Sequence, residues 1–146
     1  MIEINEDQLN HLSKYIVVSN TASFLWRKMT ESSTIKYLAY NESIDKLIEE
    51  LKALLKKEPL SENEQTKAYI YVIAILLRNR SMAKIISSLE NADKLFWLLP
   101  LTNYAYANVS SNNSYVGFQS PIQIIPSSKS NNSTQTIRLT IGDSND

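Results

Sequence analysis

Apolar residues recur at helical spacing through the first hundred positions, and the spacing is then lost. Ile44, Leu47, Ile48, Leu51, Leu54 and Leu55 fall at three- and four-residue steps, with Asp45, Lys46, Glu49, Glu50, Lys52 and Lys56 on the other face. That pattern predicts an amphipathic helix over 43 to about 57. Ser43 suits its N-cap, Lys56 and Lys57 suit the negative end of its dipole, and Pro59 ends it. Ser61-Glu62-Asn63-Glu64 is a capping-box pattern and predicts a second helix over 62 to about 79. Residues 68–77 are apolar all round, so neighbours must cover this helix on most sides. A buried strand is the rival reading of that run, and the capping box decides for the helix. Ser81 starts a third helix striped by Met82, Ile85, Ile86, Leu89, Ala92, Leu95, Phe96 and Leu99, and Pro100 is expected to stop it. Upstream, Leu9, Leu12, Tyr15, Ile16 and Phe24 make a looser stripe interrupted at Ser19, Asn20 and Thr21. Residues 6–28 are therefore one long helix or two short ones, and 34–40 adds a turn or two.

Beyond Pro100 the apolar pieces are short: Tyr104 and Tyr106, then Tyr115 to Phe118, and Ile122, Ile124 and Ile125 between Pro121 and Pro126. In the last piece Ile137, Leu139 and Ile141 alternate strictly with Thr136, Arg138 and Thr140, the best strand pattern in the chain. It pairs with 122–125 as a small ribbon only if something covers its apolar face, either the helical head or a partner's sheet edge. A disordered tail of biased composition is the alternative.

The expected fold is mainly α: a four- to five-helix bundle over residues 1–100, followed by an extended Ser/Asn-rich C-terminal arm over 101–146 with one or two short β-strands. The helix pair over 43–79 loosely resembles one helical-hairpin unit of the HEAT type. No second copy recurs at a fixed period, so the resemblance implies no family.

Composition sharpens the division. Of the 30 charged residues only Lys129, Arg138, Asp143 and Asp146 follow Pro100, and 23 of the 46 residues from Leu101 on are Ser, Thr, Asn or Gln. Net charge is zero for the whole chain, so there is no field to steer nucleic acid or anionic lipid, and no nucleic-acid partner is expected. The absence of Cys removes thiolate chemistry and Cys-based zinc sites. The longest apolar run, ten residues, falls short of the ~20 that a membrane span needs, and the acidic start lacks a signal peptide's features. The expectation is a cytoplasmic protein, or one built into an assembly inside the cell.

Little in the chain points to catalysis. His11 is the only histidine, no Gly-x-Ser-x-Gly elbow is present, and both glycines, Gly117 and Gly142, lie in the tail, so phosphate-cradle fingerprints are absent. The acid pairs Glu6-Asp7, Glu49-Glu50 and Glu62 with Glu64 suit helix starts or a solvated face better than a metal, and no cofactor is expected. Arg78, Arg80 and Lys84 form the best basic cluster, placed to cap carbonyls. The aromatics are more suggestive. Phe24 and Phe96 fit core stripes, whereas Trp26 and Trp97 fall beside them and are candidate exposed anchors.

The reading is a non-enzymatic protein-interaction or assembly component, binding a protein partner or a second copy of itself. Its candidate partner-binding residues are Trp26 and Trp97 in the head and Ile122, Ile124, Ile137, Leu139 and Ile141 in the arm. A small inhibitor of a partner enzyme, such as an immunity protein or antitoxin, is one alternative. An enzyme with a carboxylate, Tyr and Lys site between helices is the other.

Overall fold

The computed structural model describes the backbone of residues 2–113 and the side chains of residues 2–107. Among them are seven α-helices: α1 (Glu6–Val18), α2 (Ala22–Thr30), α3 (Ser33–Asn41), α4 (Ile44–Leu55), α5 (Glu62–Arg78), α6 (Ala83–Ser87) and α7 (Leu98–Asn113), with 3-10 turns at Arg80–Met82 and Ala92–Lys94. The mainly α reading holds, with more and shorter helices than the four or five expected. The arm strands expected at 122–125 and 136–141 lie outside the described residues. Contacts divide the chain into a compact unit, Met1–Ala105, and a second unit starting at Tyr106.

Each of the first five helices starts on a capping side chain. Asn5 Oδ1 accepts from the backbone N–H of Asp7 at 2.7 Å, Thr21 Oγ1 from Phe24 at 3.1 Å, Ser32 Oγ from Thr34 at 3.2 Å and Ser43 Oγ from Lys46 at 3.1 Å. These bonds satisfy N–H groups that have no partner inside the helix. The interruption at 19–21 is a true break. Ser19 closes α1, its hydroxyl donating to the Tyr15 carbonyl at 2.6 Å, and Thr21 opens α2.

The capping box forms in full at α5: Ser61 Oγ accepts from the Glu64 N–H at 3.2 Å and Glu64 Oε1 accepts from the Ser61 N–H at 3.0 Å. Lys57 adds an ion pair to Glu64 at 3.1 Å. The Ser61 backbone N–H first, then the Lys57 ammonium and the Ser61 hydroxyl, hold the Glu64 carboxyl down from its ordinary 4.5 to about 2. The folded state binds this proton less tightly than the unfolded chain, so the stabilisation is present above pH 4.5 and is lost as pH falls through about 2. Glu64→Gln is therefore expected to melt below the wild type at pH 7, with the gap closing in acid. Circular-dichroism melts across that range read it, and a gap independent of pH would show that the carboxylate charge does not stabilise the box.

α5 is the centre of the unit. Ala68, Tyr69, Ile70, Tyr71, Val72, Ile73, Ala74, Ile75 and Leu76 are all buried, because α1, α2, α3 and α4 pack around the helix. An all-round apolar helix has no face for water, and four neighbours meet that demand. α4 contributes the predicted stripe, with Leu47, Leu51, Leu54 and Leu55 buried. Two long cations tie the ends together. Arg78 Nη1 donates to the Ala39 and Glu42 carbonyls at 3.0 and 3.1 Å, closing the end of α3 from α5, and Lys94 Nζ donates to the Lys57 carbonyl at 2.7 Å beyond α4. The carbonyl-capping role expected of Arg78 is met on a neighbouring helix.

The third predicted helix needs correction. It breaks after Ser87, and Asn91 takes the left-handed conformation (φ 66°), which Asn tolerates better than most residues. Pro100 does not end a helix. It lies in the first turn of α7, where its missing N–H has no intrahelical acceptor to lose, so the segment after Pro100 opens as helix rather than as an extended arm.

Candidate functional site

The two tryptophans make internal contacts. Trp26 lies on the inner face of α2 with Leu25 and Met29 and is 6% exposed. Its ring is tilted against Tyr104 at 6.1 Å between centroids, and the Arg80 guanidinium sits 5.0 Å from its centroid. The basic residues beside it in sequence turn elsewhere: Arg27 lies over Phe24 at 5.2 Å, and Lys28 over Tyr15 at 5.9 Å. Trp97, just ahead of α7, is half-buried. Its indole N–H donates to the Ile16 carbonyl at 3.2 Å, and its backbone N–H donates to the Tyr69 hydroxyl at 3.0 Å. One residue thus joins the end of α1 to the middle of α5. The other anticipated contact residues, Ile122, Ile124, Ile137, Leu139 and Ile141, lie outside the described residues.

Phe96 takes the exposed position instead. The residue is 77% exposed, and its ring meets that of Trp97 edge-on at 5.4 Å between centroids. The expectation that Phe96 belongs to the core fails because it assumes a continuous helix over 81–99. The break at Asn91 resets the register, sending Leu95 and Leu98 inward and Phe96 outward. Val17 and Val18, the residues after the carbonyl that holds Trp97, are 76% and 61% exposed. The Trp97–Ile16 hydrogen bond therefore brings two segments distant in sequence together, each leaving large apolar side chains in water. Single exposed apolar residues need no explanation, whereas contiguous exposed apolar patches in general mark interaction sites.

A second locus lies at Arg80. Trp26, Tyr104 and Arg80 meet there from α2, α7 and the turn after α5, and Tyr40 on α3 lies close enough to act electrostatically on the guanidinium. An open groove of about 680 Å³ runs between residues 2–5 and the Tyr37 side of α3, with a Glu42–Lys46 ion pair of 3.6 Å on its lining. His11 is exposed and packs edge-on against Tyr15 at 5.3 Å. Among the described residues no three His, Cys, Asp or Glu side chains converge as a metal site, and no helix is long and apolar enough to cross a membrane. Compared with known protein families, with curated proteins and with solved structures, the chain matches none.

Proposed function

We propose that this chain is a non-enzymatic protein-interaction or assembly component whose helical unit docks an apolar patch of a partner protein through Phe96, Val17 and Val18. The exposure of Phe96 carries the reading. A phenylalanine held 77% in water is a standing hydrophobic cost, and the half-buried Trp97 edge gives it a rigid backing. Interfaces concentrate their energy in a few aromatic anchors ringed by smaller apolar contacts, the arrangement that Phe96 and the two valines offer. The C-terminal residues extend the contact in this reading, as expected from the alternating pattern over 136–141.

The test is a Phe96→Ser, Val17→Ser double substitution. Both side chains are largely exposed, so the melting temperature should move little. The partner captured by cross-linking in cells that make the wild-type chain should lose affinity for the double variant by roughly thirtyfold, the equivalent of about 2 kcal/mol for an anchor residue. Sedimentation of the purified chain reads whether that partner is a second copy. Equal capture and equal self-association by the two chains would overturn the proposal.

A further inference from the structure

Arg80 is a cation whose hydrogen-bond donors the described residues leave unused. The ion pairs among the described residues join Lys46 to Glu42, Lys57 to Glu64 and Lys94 to Glu58, and Arg80 takes part in none of them. Nor does its side chain donate a hydrogen bond among the described residues, whereas Arg78, two positions away, donates to two carbonyls. Yet Arg80 is half-buried. Burial pulls its guanidinium below the usual arginine range, an effect partly offset by the Tyr104 and Tyr40 phenols. A partly desolvated guanidinium whose N–H groups find no partner among the described residues is costly unless a charge of opposite sign meets it.

The surroundings favour such a meeting. The Arg80 guanidinium carbon lies over the Trp26 ring, 5.0 Å from its centroid, a cation–π contact that uses the ring face and none of the five N–H donors as a hydrogen bond to a charged partner. The planar guanidinium fork matches two oxygens of one carboxylate or phosphate. Tyr40 on α3 is 63% exposed, and Tyr104 on α7 is half-buried against Trp26, so phenol O–H donors stand near the guanidinium from two further elements. Four elements supply these four side chains, so the fold and not a local sequence run assembles the cluster.

We propose that Arg80, held over Trp26 on the side of the molecule that Tyr104 shares, forms an oxyanion-binding site that takes a carboxylate or phosphate group. It uses none of the residues of the Phe96 strip and stands whether or not that strip docks a partner. Sodium acetate, sodium phosphate and sodium chloride are titrated at matched ionic strength into isotope-labelled protein, following the Arg80 Nε–H and the two indole N–H signals. The Arg80 and Trp26 signals should shift saturably with acetate, phosphate or both, while the Trp97 indole and the chloride control stay still. The anion with the tighter response identifies an acidic side chain or a phosphoryl group as the natural ligand chemistry. Arg80→Gln should abolish the Trp26 response, and Tyr40→Phe, at an exposed hydroxyl, should weaken it severalfold without affecting folding. Absence of a saturable shift in the wild type, or an unchanged Trp26 response in Arg80→Gln, would overturn the site.

Discussion

Ile73→Ala is expected to lower the unfolding free energy by about 2–5 kcal/mol, toward the upper end of that range. Ile73 has no exposed surface and lies in the stretch of α5 enclosed by α1, α2, α3 and α4. Truncation removes three carbons from a site bounded by packed helices, and the spread of such losses reflects how far the surroundings can collapse into the gap. A helix at the edge of a bundle can shift inward. α5 cannot shift toward one neighbour without leaving another. Because domain stability is typically about 5–15 kcal/mol, the variant should sit near the limit of folding at 37 °C. Urea unfolding followed by circular dichroism measures the effect, with Ile73→Val as a graded step of about 0.5–1.5 kcal/mol and Lys52→Ala, on the exposed face of α4, as a control within about 0.5 kcal/mol. A loss below about 1 kcal/mol for Ile73→Ala would mean that α5 is not the enclosed centre of the unit.

The same enclosure explains what was legible in the sequence. An all-apolar run framed by Ser61, Glu64 and a chain turn leaves few alternatives to a buried helix, and the one-sided stripe of α4 fixes its inner face. Helix starts at Asn5, Thr21 and Ser32 were harder to see, because Ser, Thr and Asn are abundant and a cap shows itself only when the N–H groups beyond it point at its oxygen. The 81–99 segment misled because its stripe is real on both sides of a break. Ile86 and Leu95 are both buried, but the turn at Asn91 separates them and changes the phase between them.

The candidate surface was half-visible. Ile16, Val17 and Val18 are consecutive, and one stripe of a helix cannot bury three neighbours, so at least one had to face outward. The run Phe96, Trp97, Leu98, Leu99 carries the same signal, and the structure resolves it into two outward and two inward or half-inward residues. What no spacing shows is that residues 16 and 97 meet. Nor does Arg80 announce its place over Trp26, since an arginine after a helix is ordinarily solvated or caps carbonyls, as Arg78 does.

Tyr69 and Tyr71 should separate two kinds of buried hydroxyl. Both are 1% exposed and lie on α5. Tyr69 accepts the Trp97 backbone N–H at 3.0 Å, so Tyr69→Phe leaves that donor without an acceptor and should cost about 1–3 kcal/mol. Tyr71 makes no hydrogen bond among the described residues, so Tyr71→Phe should be neutral or stabilising at pH 7. In alkali the contrast takes a different form. Burial raises the Tyr69 phenol, opposed by the Trp97 and Phe96 backbone N–H groups, whereas burial and then the Glu50 and Glu42 carboxylates raise Tyr71 to about 12. The folded protein holds the Tyr71 proton more tightly than the unfolded chain does, so this contribution to stability is intact below pH 10 and is lost as pH rises from 10 through about 12. Phenolate absorbance should show a late-ionising component that Tyr71→Phe removes, and that variant's stability should fall less steeply across the same interval. Equal losses at pH 7 for the two substitutions would show that the Trp97 N–H does not depend on Tyr69. A Tyr71 that ionises near 10 would show that its hydroxyl reaches water and that Glu50 and Glu42 lie too far away to repel the phenolate.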